Sequence, residues 1–342
     1  MTDWTERVLA LEPVWSRAPS AHNTQPWLLR AADGMGGARL ELAWEPDREL
    51  VVADPTRRDL WLSLGAVAEA IVIATRGAGI GLVVEWDVDS ATRRAAWLTR
   101  DSAGSHSRGA IFDAGDLRSR RTARGPYAPA RPGPGDVEAI ARAADLGADG
   151  LELTSVPRPV VDRLLPAADA WSYASSAQVA ELRRWLRLSP GHPAYDEDGL
   201  TDRALALNRI QARALGLALA PTTWRVLERL GGPSLLARSG RIDPRGAVIA
   251  LHGPAGELDS PPAIAQAGRA LLRAWLAAGR GGWHCHPLSQ LIDAPGPAGA
   301  LHAWADTIAD DPAPPRRILS VFRLGQPLRA PAESARRPSA RC

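Results

Sequence analysis

Lysine is missing from this chain: all 41 basic side chains among its 342 residues are arginines. Against 38 acidic residues they leave a formal net charge of only +3. The isoelectric point near 9.3 therefore reflects permanently charged guanidinium groups and no broad basic surface. No nucleic-acid partner is expected. Cysteine is nearly absent too, and Cys285 and Cys342 support neither a disulfide framework nor a four-thiolate zinc site, which suits a reducing compartment. Long apolar runs are also lacking. The longest stretch, Leu60 to Ala74, is interrupted by Ser63 and Glu69 and is too short to span a bilayer. The first residues, Met1 to Glu6, show no basic segment followed by an apolar one, so secretory targeting is not expected and a cytoplasmic chain is.

What is present is ordinary globular composition, 45% hydrophobic and 23% charged. A chain of this length exceeds what one core usually supports, so two adjacent or core-sharing domains are expected. Trp4, Val8, Leu11 and Trp15 fall on one helical face, interrupted at Pro13. Leu28 to Arg30 and the alternating Leu40, Leu42 and Trp44 read as strands around a turn at Gly34, Gly36 and Gly37. Arg58 to Arg76 is apolar nearly all round, which predicts a central helix stopped by Gly77 and Gly79. Val84, Trp86 and Val88 predict the next strand.

A polar stretch, 101–115, and the proline-rich run Pro126 to Pro134 suggest a boundary, giving parts 1–115 and 116–342. Beyond it, helices are expected at Val137–Leu146, Val160–Leu188, Arg203–Leu217 and Thr222–Leu230, with extended pieces at Leu151–Val156 and Val248–Leu251. A long apolar helix from Ile264 to Ala278 ends at Gly279, Gly281 and Gly282. Gly65 opens a buried helix that closes at Gly77 and Gly79 before a strand, as Gly268 does before Gly279 and Gly281, which raises the possibility of a duplicated domain with helices on antiparallel sheets.

Two peptides carry chemistry. In Pro19-Ser20-Ala21-His22-Asn23-Thr24-Gln25-Pro26-Trp27, Pro26 is expected to push Gln25 into extended conformation, so that the amides of Asn23 and Gln25 share a face. Amides offer donor and acceptor together, which suits a flavin's pyrimidine edge; a polar cap and turn between helix and strand is the other reading. In Arg120-Arg121-Thr122-Ala123-Arg124-Gly125-Pro126-Tyr127, three guanidinium groups and a hydroxyl suit a phosphate, or else form a solvated basic loop.

The first peptide, with Asn-x-Gln-Pro-Trp after Pro-Ser, resembles the flavin-contacting segment of the nitroreductase family. The second resembles the Arg-Arg-Ser-x-Arg-x-Phe segment that opens nitroreductase domains and holds the FMN phosphate and ribityl chain, with Thr122 for serine and Tyr127 displaced by the extra Gly125-Pro126. In the homodimeric members each flavin takes one segment from each subunit. Here each part of the chain keeps one segment and lacks the other, and Gly150 to Thr154 stands where the second amide peptide is due. This resembles the two-domain Acg-type branch. It implies an α+β fold of tandem half-domains, helices around antiparallel-rich mixed sheets, forming a monomeric intramolecular pseudo-dimer with one FMN. The resemblance extends to Asp54-Pro55-Thr56-Arg57-Arg58, to Glu181–Trp185 with Asp198-Gly199, and to the tail from Leu324 through Arg336-Arg337-Pro338.

The same resemblance implies flavin contacts from Pro19, Ser20, Ala21, Asn23, Gln25, Arg120, Arg121, Thr122 and Arg124. It adds Ser289 and Gln290 beside flavin N5, and Arg336 and Arg337 on the phosphate, though a frayed basic tail reads equally well there. His284 and His286 flank Cys285, but no acid nearby completes a metal site, and none is expected. The function implied is an NAD(P)H-dependent FMN oxidoreductase acting on a small molecule, with hydride transfer through N5 and no catalytic side chain demanded. The alternative is a protein that binds and sequesters FMN beneath a lid formed by 189–246.

Overall fold

The computed structural model describes residues 4–34, 37–101, 111–232, 245–308 and 314–337. Gly36, Pro338, Cys342, residues 102–110 of the expected boundary and 233–244 of the expected lid lie outside them. The N-terminal apolar face forms two short helices, α1 (Trp4–Leu9) and α2 (Glu12–Trp15), with Pro13 in the first turn of the second, where its missing N–H costs nothing. Strands β1 (Trp27–Gly34) and β2 (Gly37–Trp44) pair antiparallel across the glycine turn. Then come α3 (Arg58–Arg76), β3 (Leu82–Asp89) and β4 (Arg94–Arg100).

The chain continues through α4 (Ala114–Ser119), α5 (Pro134–Ala143), β5 (Glu152–Ser155), α6 (Arg158–Trp171) and α7 (Ser176–Arg184). A small parallel pair, β6 (Leu186–Arg187) and β7 (Leu200–Thr201), precedes α8 (Arg209–Ala218) and α9 (Pro221–Arg229). Last are β8 (Ala247–Pro254), α10 (Pro261–Arg280), β9 (His284–Pro287), α11 (Gln290–Asp293), α12 (Pro295–Thr307) and β10 (Arg316–Gly325).

The fold is α+β. Its two larger sheets have strand orders β1-β2-β4-β3 and β5-β8-β10-β9, and every pairing within them is antiparallel. The connection pattern repeats: in each sheet a long helix, α3 or α10, joins the second strand in chain order to the third. One hydrophobic cluster takes residues from both sheets and both long helices, from Val8 to Leu324. Among the described residues no helix is long and apolar enough to cross a membrane.

Sequence periodicity misplaces several elements. Val160–Leu188 is not one helix but two, because Ser175 accepts the Gln178 amide and starts a new helix there. The helix expected from Arg203 begins at Arg209, capped by Asn208, and the residues before it form turns. Strand β10 gives no alternation because it is central and buried on both faces over most of its length.

α3 and α10 cross with their backbones in contact. A Cβ on Gly65 would stand 1.8 Å from the Ala265 carbonyl oxygen, and one on Gly268 would stand 2.3 Å from that of Leu62. Next to this crossing the buried Glu69 carboxylate pairs with Arg269 at 2.7 Å and with Arg273 at 3.4 Å, so α10 answers the one acid buried on α3's inner face. Gly65→Ala or Gly268→Ala should drive the helices apart at a cost of about 3 kcal/mol, visible as a clear loss of Tm. Wild-type stability in both variants, read by thermal unfolding, would mean that the helices are not in contact at this crossing.

Candidate active site

Beside the helix crossing lies a cavity of about 280 Å³. α3 contributes Leu62, Ser63 and Ala66 to its wall, and α10 contributes Leu271 and Trp275. Both peptides singled out in the sequence reach it: Pro19, Ser20, Ala21 and Asn23 from one, Arg120, Thr122 and Arg124 from the other. Ser289, Gln290 and Arg336 line it as well. Gln25, Arg121 and Arg337 do not.

The amide peptide is not extended, contrary to the expectation from Pro26. It forms a 3₁₀ turn, Ala21–Asn23, and His22, Asn23 and Gln25 all have positive φ, at 47°, 56° and 51°. The Ser20 hydroxyl accepts the Gln25 N–H at 2.9 Å and stabilises the curl, and Asn and His tolerate the left-handed region better than most residues. The two amides therefore do not present one face. Asn23 donates to the Ala335 carbonyl at 3.0 Å and accepts from Arg336 at 2.9 Å. Gln25 is fully buried, donating to the Glu197 carbonyl at 2.8 Å and accepting from the Arg337 N–H at 3.1 Å. Its amide ties the tail and the 197–199 loop to the peptide. Trp27 is buried in the core.

The arginine peptide runs along the edge of β9, where Thr122 and Cys285 form a bridge and the Ala123 amide donates to the Cys285 carbonyl at 3.0 Å. This pairing directs alternate side chains, and Arg120 is buried with its Nη1 lacking any hydrogen-bond partner. Arg121 turns away, its guanidinium bonded to the Arg118 and Arg120 carbonyls. Arg337 pairs with Glu45.

Charge gathers at this end of the cavity. Arg17, Arg120, Arg124 and Arg336 all have pKa values pushed down by burial, Arg120 to about 9 and Arg124 to about 10, with the neighbouring guanidinium groups adding to the effect on Arg17, Arg120 and Arg336. The carboxylate that pairs here is Glu333, on Arg17 at 2.6 Å and Arg121 at 3.5 Å, and it is itself half exposed. Part of the charge is offset by main-chain carbonyls: Arg336 donates to those of Arg17 and Ala18 at 3.0 Å each, and Arg120 to that of Arg17 at 3.2 Å. Arginine does not release its proton in practice, so a group this crowded is suited to an anion.

A second, opposite cluster faces the same cavity. Arg58, at the start of α3, is held between Asp59 and Asp293, each at 2.7 Å. Asp54 accepts the Leu60 amide at 2.9 Å with one oxygen, while its other oxygen is buried without a partner. Burial, with Asp59 nearby, pushes Asp54 up to about 7 and Asp293 up to about 8. His22 feels both Arg124 and Asp59, so it stands between the clusters; burial keeps it neutral, lowering its pKa to about 4.

No family model matches the chain. Two curated Mycobacterium tuberculosis proteins, from two strains and provisionally named NAD(P)H nitroreductases, are 43% identical to it over 63 residues, 18% of this chain. The matched stretch spans only 17% of those relatives' length. Among solved structures the chain is similar to an FMN-bound nitroreductase of Desulfitobacterium hafniense, 14% identical over 66% of this chain and 92% of that one, with a TM-score of 0.36. It is similar also to the FMN-dependent nitroreductase NfnB of Mycobacterium smegmatis in complex with NADPH, 16% identical over 66% and 94%, TM-score 0.36. An iodotyrosine deiodinase bound to FMN and 3-iodo-L-tyrosine gives 10% identity over 67% and 96%, again at 0.36. Likeness at this level leaves the site to be argued from its own residues.

Sequence reasoning did not find Arg17 or Asp293, which have no motif around them, and passed over His22 inside the amide peptide. Asp54 and Arg58 were visible as Asp54-Pro55-Thr56-Arg57-Arg58, but nothing in that string shows that they meet Asp293, 235 residues after Arg58. The carboxyl protons give a test. Asp54 and Asp293 hold protons in the folded chain up to about 7 and about 8, whereas an unfolded aspartate releases its proton near 3.9. The native state thus binds more protons across that window, and its stability falls as pH rises through it. Asp54→Asn removes one such group. Its Tm should match that of the wild type near about pH 4 and exceed it above about pH 8; parallel Tm curves would show that Asp54 titrates normally.

Proposed function

We propose that the chain binds one FMN in this cavity and acts as an FMN-dependent oxidoreductase of nitroreductase type. The single observation that carries the reading is convergence. Residues 19–23, 120–124, 289–290 and 336, distant along the chain, line one cavity that has a buried cluster of arginines at one end. Arg120, Arg124 and Arg336, with the Thr122 hydroxyl, would hold the phosphate, and Arg120 offers in Nη1 a donor that has no hydrogen-bond partner among the described residues. The apolar wall of Leu62, Ala66, Leu271 and Trp275 suits a planar ring system. When bound, FMN supplies two-electron chemistry, exchanging hydride at its N5.

The protein's part is to bind, orient and exclude water. On this reading the parts 1–115 and 116–342 are two half-domains, and one chain does as an intramolecular pseudo-dimer what two subunits do in the homodimeric members. NAD(P)H would be the electron donor, with a small organic molecule as acceptor. The second reading, an FMN-sequestering protein, is favoured by the way 197–204 is fastened at the cavity. Gly199 donates its N–H to the Asn23 carbonyl at 3.2 Å, and Arg124 donates to that of Ala204 at 3.2 Å. Gly199 has φ +72°, and a Cβ there would meet the Trp185 carbonyl at 2.5 Å, so this close seat requires glycine.

The purified protein should carry flavin at one FMN per chain. Arg120→Ala or Arg124→Ala should weaken FMN binding by about 1.5–3 kcal/mol, the scale of a hydrogen bond to a charged group; unchanged affinity in both, by flavin titration, would remove the phosphate assignment. Adding NAD(P)H anaerobically separates the two readings. Bleaching of the flavin band on a catalytic timescale supports the oxidoreductase, and its absence supports sequestration.

A further inference from the structure

We propose that the carboxylate end of the cavity, formed by Asp54, Asp59 and Asp293 around Arg58, is a recognition subsite for a cationic group, an ammonium or guanidinium, on the molecule that the site acts on. This deepens the flavin reading, and it rests on that reading only for calling the bound molecule a substrate.

Three carboxyl groups share one guanidinium. Arg58 reaches Asp59 and Asp293 at 2.7 Å each, which uses its Nη2, and its Nε goes to Asp59 at 3.0 Å. None of these bonds goes to Asp54, whose Oδ2 accepts the Leu60 amide at 2.9 Å. That side chain is 5% exposed and lines the cavity, and its Oδ1 has no hydrogen-bond partner among the described residues. A buried carboxyl oxygen with nothing to accept from, on a side chain that lines a cavity, is an acceptor set for a donor that arrives with the ligand. His22, which lines the cavity and feels Asp59, is neutral and does not compete as a cation. Trp171 lines the same cavity, and an aromatic ring is a surface that favours ammonium and guanidinium groups.

The alternative, that the cluster is a structural ion pair at the start of α3, accounts for Asp59 and Asp293 with Arg58. With the Leu60 amide it accounts for one oxygen of Asp54 and leaves Oδ1 without a partner among the described residues. Without a ligand the group limits its own repulsion by holding protons on Asp54 and Asp293, and a cation from the ligand would replace them. The cavity is thereby polarised: guanidinium groups at one end take an anion, and carboxylates at the other take a cation. A molecule bearing an ammonium group would be drawn away from the arginines and toward Asp54.

Three probes of nearly the same shape test this by calorimetric titration of the wild-type protein at pH 7: 4-nitrobenzylamine, which is an ammonium there, neutral 4-nitrobenzyl alcohol, and anionic 4-nitrobenzoate. The ammonium should bind about tenfold more tightly than the alcohol, the ratio that one hydrogen bond to a charged group gives, and the benzoate least tightly once FMN fills the arginine end. Asp54→Asn and Asp293→Asn should each bring the ammonium-to-alcohol ratio toward one and leave the alcohol's affinity as it was. Equal binding of ammonium and alcohol by the wild type, or no binding of the ammonium, overturns the proposal whether or not the variants fold. FMN loading, read by absorbance on the same samples, keeps the two readings apart. An ammonium preference in protein that takes up no FMN sustains the cation subsite and ends the flavin reading, whereas FMN-loaded protein without that preference does the reverse.

Discussion

The contact between α3 and α10 is the constraint on which the rest of the molecule depends. Where Gly65 and Gly268 meet the opposing helix, the two backbones lie closer than any side chain allows. Close approach of this kind fixes the crossing point, because only there is the Cβ layer missing on both helices. Each helix joins the second and third strands of its own four-stranded sheet, so fixing the crossing also fixes how the sheets sit about a common core. The buried Glu69 makes that arrangement specific. A carboxylate taken fully out of water demands its arginine partners, and Arg269 and Arg273 reach it only when α10 is docked in this register.

The cavity follows from that crossing. Two helices that touch at one point diverge away from it, and the space is closed by whatever leaves the neighbouring strand ends. Here those segments are the turn at 19–25, the edge-pairing 120–124 segment beside β9, the 287–293 connection and the tail through 337. None of them is regular structure along its length, which is why single side chains, Ser20, Asn23 and Gln25 above all, hold the segments by bonding to one another's backbones. Gln25 and Arg337 are part of this fastening. They organise the cavity wall from behind it.

Electrostatically the cavity has two poles. At one, buried arginines crowd together with a half-exposed glutamate and main-chain carbonyls as partners; at the other, three aspartates share a single arginine. Neither pole is balanced among the described residues. Such imbalance costs stability, and proteins keep it where charge is used, since the same low-dielectric setting that makes an unpaired charge unfavourable makes its pairing with a ligand strong.

The sequence by itself determined the α+β character, the two long buried helices, and the presence of an amide peptide and an arginine peptide, because helical periodicity, glycine stops and local composition are properties of contiguous residues. It also marked Gly65 and Gly268 as corresponding positions, without showing that each packs against the other's helix. Only the tertiary structure decided that the amide peptide curls, since a hydroxyl at Ser20 and a fastening at Glu197 outweigh the extended preference that Pro26 imposes on Gln25. The same holds for the split of the expected 160–188 helix and for β10, whose burial on both faces erases the alternation that announces a strand. Which arginines face the cavity was equally beyond the sequence: Arg120 and Arg121 are neighbours in the chain, yet Arg120 lines the cavity while Arg121 is held by main-chain carbonyls and does not line it. Contacts between residues hundreds of positions apart, such as Arg58 with Asp293 or Asn23 with Ala335, depend on how the chain returns upon itself, and no local pattern records that return.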